Sequence, residues 1–569
     1  MSINIHKKNI CITNTNLIIT LIVLCLITYY NTFDVPFIFD DFQCVKDNPL
    51  IRDFRNYFHR QRAIEVFNVN PYVLRDTLNS FFMRPVAYLT FSFNYYLHGQ
   101  SVAGYHIVNL AIHTLNTIIV FLLIQCTIQQ IQKSEAAPTD PSLSINDSYV
   151  AFFVAAFFGV HPLMTNSVTY ITHRMTALVA LFYLLSILLY AKHNHFSTFS
   201  NKVLYCFSFV CCIAAMLTKE SAFTLPLMLA VYDYLFLQGA MKQRIIRLSP
   251  FILAMPIIPC NLLRLQSPQA PQASGTLESS LNIVNFTQLS SWEYLLTQFR
   301  AVGFYLKLLL MPTGLSLEHD FTVSRTLTDI SVLLALALHM LLLAYGAYLI
   351  KSFKKNGKIN TCNILTGFGI IWFYLCLMVE SSVIPLDQVA VEYRTYLPSV
   401  GFFICFICVI EKLSTNLFGK YHYWKAGCII LLPLVCLMAS LTILRNEVWR
   451  KPDTFWMQTI SLYPKLGRAY INLADYYMSK GAVSDAIRIY VASIQENPLV
   501  PALHYELGRV YLVSKDYELA ITELTQAILM RPTMIEAYES LAQAYVLAGR
   551  HAQANEALAA ANRITYNRP

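Results

Sequence analysis

Two adjacent carboxylates, Asp40 and Asp41, stand in the run Phe39-Asp40-Asp41-Phe42, just after an apolar stretch over residues 16–30. A carboxylate at such a place can take the proton of an attacking hydroxyl. Cations at the ends of other apolar segments, Arg84, Arg174, Lys219 and Arg394, are suited to hold a phosphate and to stabilise the charge it acquires on leaving. A phosphate leaving at a membrane face points to a lipid-phosphate substrate, its tail in the bilayer and its reactive carbon at the interface. Glycosyl transfer from a polyisoprenyl-phosphate sugar has that arrangement. Each residue taken singly also has a plain structural reading. The acids suit a solvated loop, Arg84 and Arg394 could snorkel or pair locally, and Lys219 could be satisfied by Glu220. The functional reading requires all of them to face one side and share one cavity. His106, Asn109, His113 and Asn116 add a polar stripe, spaced i, i+3, i+7, i+10 on one helix face. That stripe either lines a polar cavity or hydrogen-bonds to neighbouring helices.

The elements that must position these residues are membrane helices. Of 569 residues 56% are hydrophobic and 13% charged, and the mean hydropathy is +0.47. With repeated apolar runs, this defines a polytopic membrane protein. Spans are predicted near 14–31, 106–128, 148–162, 175–191, 203–217, 221–238, 249–263, 329–350, 363–379, 395–410 and 426–444. Residues 294–311, which carry Arg300 and Lys307 and end at Pro312, are read as re-entrant or interfacial. The positive-inside rule favours that choice. With eleven spans, Lys192, Lys202, Lys242, Arg244, Arg247, Lys351, Lys354, Lys355, Lys358, Lys412 and Lys420 share the cytoplasmic side with the N-terminus. Asp40, Asp41, His161, Lys219, Glu318, Glu380 and Arg394 then share the opposite side. Lys7 and Lys8 precede the first apolar run without a small-residue cleavage site after it, which reads as an uncleaved first helix. The loop 32–105 is long, and its residues 53–67 suit an amphipathic helix at the membrane surface. The net charge of +9 sits mainly in short loops, so no basic patch suggests nucleic acid. Most of the 14 cysteines lie in apolar segments and read as packing residues.

From Trp449 the composition changes to a soluble helical type. Pro464, Pro498 and Pro532 recur every 34 residues, the period of tetratricopeptide repeats. The chain thus divides into a membrane domain, 1–444, and a helical repeat domain, 445–569, with repeats near 467–500, 501–534 and 535–568. The concave face of such a solenoid suits an extended polypeptide; a rigid cap or oligomerisation surface is the alternative.

The motifs also carry a resemblance. Phe39-Asp40-Asp41, Arg84-Pro85, Gly104-Tyr105-His106 with Asn109 and His113, His161-Pro162, Arg174, Lys219-Glu220-Ser221-Ala222 and Tyr232-Asp233 are followed by Glu318-His319-Asp320-Phe321, Glu380-Ser381-Ser382 and Glu392-Tyr393-Arg394. In type and order they resemble the membrane domain of the transmembrane and tetratricopeptide-repeat O-mannosyltransferases, over most of residues 33–400. Tyr393 stands where that family commonly has His, and His173 where Gln often precedes the arginine. The resemblance implies an all-α, polytopic GT-C glycosyltransferase fold followed by the repeat solenoid. It implies inverting transfer from a polyprenyl- or dolichyl-phosphate sugar, metal-independent or weakly dependent on a divalent metal. Asp40 would be the general base, and Asp41 would orient it, the acceptor or a metal. Arg394 is the first choice for the donor phosphate, ahead of Arg84, Arg174 and Lys219, and His161 and Glu380 would contact sugar or acceptor. The implied partners are the lipid donor, membrane lipids and a Ser/Thr-bearing polypeptide held by the repeats. The short repeat array is more similar to a bacterial relative's, which would put the repeats in the periplasm beside the inner membrane; in a eukaryote they would face the lumen of the endoplasmic reticulum. A lipid or glycan acceptor, and a non-enzymatic scaffold, remain open at this point.

Overall fold

The computed structural model of the chain describes residues 13–69, 75–133, 143–193, 199–265, 289–356, 361–386, 388–418 and 423–566. Lys7, Lys8, Lys358 and Lys420, used in the reading of signal segment and topology, lie outside the described residues. Every secondary-structure element among the described residues is a helix.

A helix occupies each predicted span, but they differ in length. Val102–Lys133, Arg174–His193, Met241–Leu263, Ile330–Ser352, Pro398–Phe418 and Lys425–Arg450 are long and apolar enough to cross a membrane. A seventh is reached if Ser148–Val160 and Pro162–Val168, bent by 52°, form one broken span. Asn14–Thr28, Asn201–Met216 and Thr361–Leu377 are apolar but shorter. Leu225–Phe236 has 12 residues, about 18 Å of helix against a hydrocarbon core of about 30 Å. By length and composition, six of the described helices, or seven with the bent pair, are long and apolar enough to cross a membrane, against the eleven spans expected. Lys219, Glu220 and Glu380, beside the ends of Asn201–Met216, Leu225–Phe236 and Thr361–Leu377, line a cavity at that end of the bundle. Ser291–Leu310, expected to be re-entrant or interfacial, is a 20-residue helix opened by a capping box between Ser290 and Glu293.

The polar stripe of Val102–Lys133 joins helices. His106 Nε2 donates to Val35 O at 2.8 Å, and Asn109 Nδ2 to Val168 O at 3.1 Å. His113 Nε2 donates to Gly159 O (3.0 Å) while its Nδ1 accepts from Tyr396 Oη (2.7 Å). Asn116 Nδ2 donates to Ala177 O (2.8 Å) and to Tyr396 Oη (3.0 Å). His106, Asn109 and His113 are fully buried, and the cavity-lining role expected of them is corrected: they satisfy carbonyls freed where neighbouring helices break. Close approach is also seen between Thr361–Leu377 and Pro398–Phe418, where Cys405 Sγ donates to Thr366 O at 3.4 Å. There a Cβ on Gly401 would collide with the Gly369 carbonyl oxygen.

The last membrane helix runs to Arg450 and is followed by Pro452–Leu462. Three helix pairs come next: Gly467–Ser479 with Val483–Glu496, Pro501–Ser514 with Tyr517–Met530, and Ile535–Leu547 with His551–Tyr566. The first repeat is docked on the membrane part through Arg468, paired to Glu318 at 3.1 Å, and through Ala469 and Leu473, which share a buried cluster with Val35, Ile38 and Tyr170. The joining segment is anchored as well. Trp449 is wholly buried and stacks on Tyr170 with centroids 5.7 Å apart. Glu392 accepts from Ser316 N at 2.6 Å and from His319 Nε2 at 3.1 Å, and His319 Nδ1 reaches Tyr463 Oη at 2.7 Å.

Each repeat turns between its helices through one left-handed residue: Gly481 (φ 74°), Lys515 (φ 68°) and Gly549 (φ 77°). Glycine adopts this conformation freely, whereas lysine meets its own carbonyl. Lys515→Gly is therefore expected to stabilise the repeats by about 0.5–1 kcal/mol, net of the extra freedom glycine gives the unfolded chain. Chemical denaturation of the two proteins in the same detergent checks it; an unchanged or lowered midpoint contradicts it.

Candidate active site

The site begins with strain. Phe39 has φ 49°, a conformation that costs a bulky residue on the order of 1–3 kcal/mol and persists only where surroundings enforce it. Here its ring packs edge-on to Trp456 (6.2 Å) and lies 5.9 Å from the Arg468 guanidinium. A single π-type turn, Phe42–Lys46, follows. Between these irregularities the two acids point opposite ways. Asp40, its backbone N–H bonded to Tyr170 Oη at 3.0 Å, lines the cavity. Asp41 turns inward: Oδ1 accepts from Thr172 N (2.7 Å) and Thr172 Oγ1 (2.5 Å), and Oδ2 from Ile38 N (3.1 Å).

Burial pushes the Asp40 carboxyl up to about 6, against the opposing pull of Arg468. Burial likewise raises Asp41 to about 7, against its bonds to Thr172. Asp41 thus holds the loop that aims Asp40, and the expectation that it reaches acceptor or metal is corrected, because both of its oxygens are engaged inside the protein. Among the described residues no group of three or more His, Cys, Asp or Glu side chains is placed to hold a metal ion.

The cavity has a volume of about 1280 Å³. It brings together Asp40, Arg84, Lys219, Glu380 and Arg394, which are far apart in sequence. Arg84 leads into the helix Pro85–His98 and forms a forked pair with Glu220, Nε to Oε1 at 3.0 Å and Nη2 to Oε2 at 2.9 Å. Lys219 Nζ lies 2.7 Å from Glu380 Oε1, 3.2 Å from Thr176 Oγ1 and 4.5 Å from the centre of the Tyr393 ring. Arg394 differs from both. Its Nη1 donates to Val389 O (3.0 Å) and Tyr294 Oη (3.4 Å), its Nη2 to Gln388 O (2.6 Å), and its buried Nε has no partner among the described residues. It is 3% exposed, and no carboxylate lies within ion-pair distance among the described residues. A guanidinium among neutral acceptors has no contact anion to offset its burial, a cost that an incoming anion would relieve.

Two predicted ligands lie elsewhere. Arg174 is completely buried and donates to Asn109 Oδ1 (2.6 Å), Asn94 Oδ1 (2.7 Å), Tyr105 O (3.0 Å) and Thr90 O (3.3 Å). It also lies 4.6 Å from the Phe91 ring. It clamps the helix Pro85–His98 onto the bundle, and its donor-binding role is corrected. His161 caps the turn Pro162–Met164 by accepting from Leu163 N (3.3 Å), and it donates to Leu309 O (3.1 Å). With both ring nitrogens used and the side chain buried, it does not contact the cavity.

Sequence reasoning missed the wall opposite. Arg468, Asn472, Asp475, Tyr476 and Ser479 of the first repeat also line the cavity. Their polar members, at i, i+4, i+7 and i+11, share a helix face whose back is Ala469, Leu473 and Ala474. That periodicity was present in the sequence, but nothing in it says what the face opposes. Tyr393, Trp456 and Glu220 also belong to the lining.

A helical membrane bundle joined to a repeat solenoid, with an acid–arginine cavity at the junction, defines the class: an integral-membrane protein with tetratricopeptide repeats. The tetratricopeptide repeat family matches residues 501–534. The chain is 26% identical over 573 residues to the Protein O-mannosyl-transferase Tmtc3 of Drosophila melanogaster, covering 90% of this chain and 58% of that protein. It is 24% identical to the Protein O-mannosyl-transferase F38B6.6 of Caenorhabditis elegans, covering 85% and 63%. To the human Protein O-mannosyl-transferase TMTC1 it is 23% identical, covering 83% and 54%. These matches extend through the membrane part and the repeats, so the chain is similar to these O-mannosyl-transferases over most of its own length. The chain spans 58%, 63% and 54% of the length of these three relatives.

Proposed function

We propose that the chain is a GT-C-type glycosyltransferase that moves a sugar, mannose on the relatives' example, from a polyprenyl- or dolichyl-phosphate to a Ser or Thr hydroxyl of a polypeptide. The observation that carries this reading is one cavity lined by Asp40, a carboxyl raised by burial, and by Arg394, an arginine with no contact acid among the described residues. Arg394 holds the donor phosphate, and Lys219 and Arg84, already paired to Glu380 and Glu220, lend it a weaker field. The lipid tail leaves along the apolar part of the lining, formed by Phe223, Ile258, Leu262, Met378, Val383 and Ile384; Val383 and Ile384 are exposed. Asp40 accepts the acceptor hydroxyl's proton as its oxygen bonds to the anomeric carbon. The bond from that carbon to the phosphate oxygen breaks, and the lipid phosphate takes the electron pair. Attack from the face opposite the leaving phosphate inverts the anomeric centre, as in inverting glycosidases. The site and repeats belong on the extracytoplasmic side, the periplasm of a bacterium or the lumen of the endoplasmic reticulum.

The test is a reconstituted reaction. The full chain in nanodiscs, given mannosyl-phosphoryl polyprenol and Ser/Thr peptides, is expected to add a hexose mass to a hydroxyl side chain, detected by fragmentation mass spectrometry. Transfer only to lipid or glycan, or to nothing, removes the polypeptide acceptor from the reading. The same assay has a pH signature. A base works deprotonated, so kcat/KM is expected to be flat above about pH 7 and to fall about tenfold per unit below pH 6. A profile still flat at about pH 5 contradicts Asp40 as the base.

A further inference from the structure

Resting on the transferase reading, we infer that Asn472 and Asp475 of the first repeat form the acceptor-positioning wall, and that this wall selects a polypeptide with a basic side chain about three residues from the modified hydroxyl. The helix Gly467–Ser479 lies across the cavity from the membrane-domain cations, and its Arg468 sits beside Phe39, next to Asp40. Arg468 is committed to Glu318, Nη1 to Oε2 at 3.1 Å, so it marks the reacting end of the wall without recruiting an acidic acceptor. One turn on, Asn472 Nδ2 donates to Arg468 O at 2.8 Å, which leaves Oδ1 without a protein partner among the described residues and able to accept a peptide N–H. Next comes Asp475. It is exposed, lines the cavity, and receives only a long bond, 3.4 Å, from Tyr490 Oη. The cation facing it from the second repeat, Arg509, is paired to Glu506 at 2.9 Å, so among the described residues the Asp475 carboxylate has no contact cation of its own.

The occupant follows from this series. The wall is continuous with the candidate active site, and it offers a hydrogen-bond acceptor and then an unpaired carboxylate along a line leading away from Asp40. An extended polypeptide with its hydroxyl at Asp40, a backbone N–H at Asn472 and a Lys or Arg at Asp475 matches it. From Arg468 to Asp475 is seven residues of helix, about 10.5 Å of rise, which an extended chain covers in about three residues.

Two peptides decide it, each with one Thr and differing only in Lys or Glu three residues away, tested with the placement N-terminal and C-terminal. With the wild-type chain in nanodiscs and mannosyl-phosphoryl polyprenol, the Lys peptide in one placement is expected to exceed the Glu peptide by about fivefold in kcat/KM, through KM. Asp475→Lys is expected to invert that order. Asp475→Asn, which keeps the side-chain shape, is expected to level it, so a folding defect in the charge reversal does not shield the inference. The same ranking in wild type and both variants overturns the acceptor wall while leaving the transferase reading standing. A wild-type chain that modifies no peptide overturns both.

Discussion

Asp40→Asn lowers kcat for sugar transfer by about a thousandfold while the protein stays folded. The expectation combines two observations. Asp40 faces the cavity, whereas its neighbour Asp41 spends both oxygens on Thr172 and Ile38, so Asp41 cannot substitute as the base. Burial also raises the Asp40 carboxyl, which means that its ionised form is the costly one in the folded protein. An amide of the same shape removes that cost, and the thermal midpoint is expected to hold or rise slightly. Rates from the reconstituted assay and a melting curve of the same preparation check both halves. A variant that keeps more than about a tenth of wild-type kcat removes Asp40 from the chemistry. One that unfolds makes Asp40 a structural residue and removes the same role.

Arg394 is the second large effect. Arg394→Gln is expected to lower kcat/KM for the lipid-phosphate donor by about 10²–10³-fold, and Arg394→Lys by about tenfold. Glutamine keeps an N–H for a carbonyl such as Gln388 O but no charge; lysine keeps the charge but not the fork that serves two carbonyls and Tyr294 at once. The contrast with Arg174 is informative. Both arginines are buried among neutral acceptors, yet only Arg394 lines the cavity and only Arg394 retains an unbonded buried Nε. Arg174→Gln should therefore act through the packing of Pro85–His98 and leave any surviving enzyme with an ordinary donor KM. Donor kinetics with acceptor held saturating separate the cases. An Arg394→Gln enzyme with wild-type donor kcat/KM would place the phosphate elsewhere.

The reading of Arg174 and His161 shows why motif residues divide as they do. Both sit beside breaks in the bundle, where helix ends expose carbonyls and N–H groups that must find partners. A sequence marks such breaks with the same polar residues that mark an active site. Arg174 carries four hydrogen bonds to the helix Pro85–His98 and its neighbours, and His161 caps a turn. Their types and places were legible in the chain, but the direction of their side chains was not. Arg468 and Asp475 were overlooked for the opposite reason. On a solenoid, a polar helix face is ordinary until a second surface is brought against it.

Local chemistry alone determined the helical class, the apolar segments and the 34-residue repeat, and with the family resemblance it singled out Asp40, Arg84, Lys219, Glu380 and Arg394 together with Asp41, Arg174 and His161. Hydropathy, period and residue type are properties of short windows. Tertiary structure decided which of the paired acids faces the cavity, which of the arginines without a carboxylate among the described residues lines it, and that the first repeat forms one of its walls. Those outcomes depend on side-chain direction and on contacts between distant segments, such as Tyr463 with His319, 144 residues apart, and no short window of sequence contains both partners.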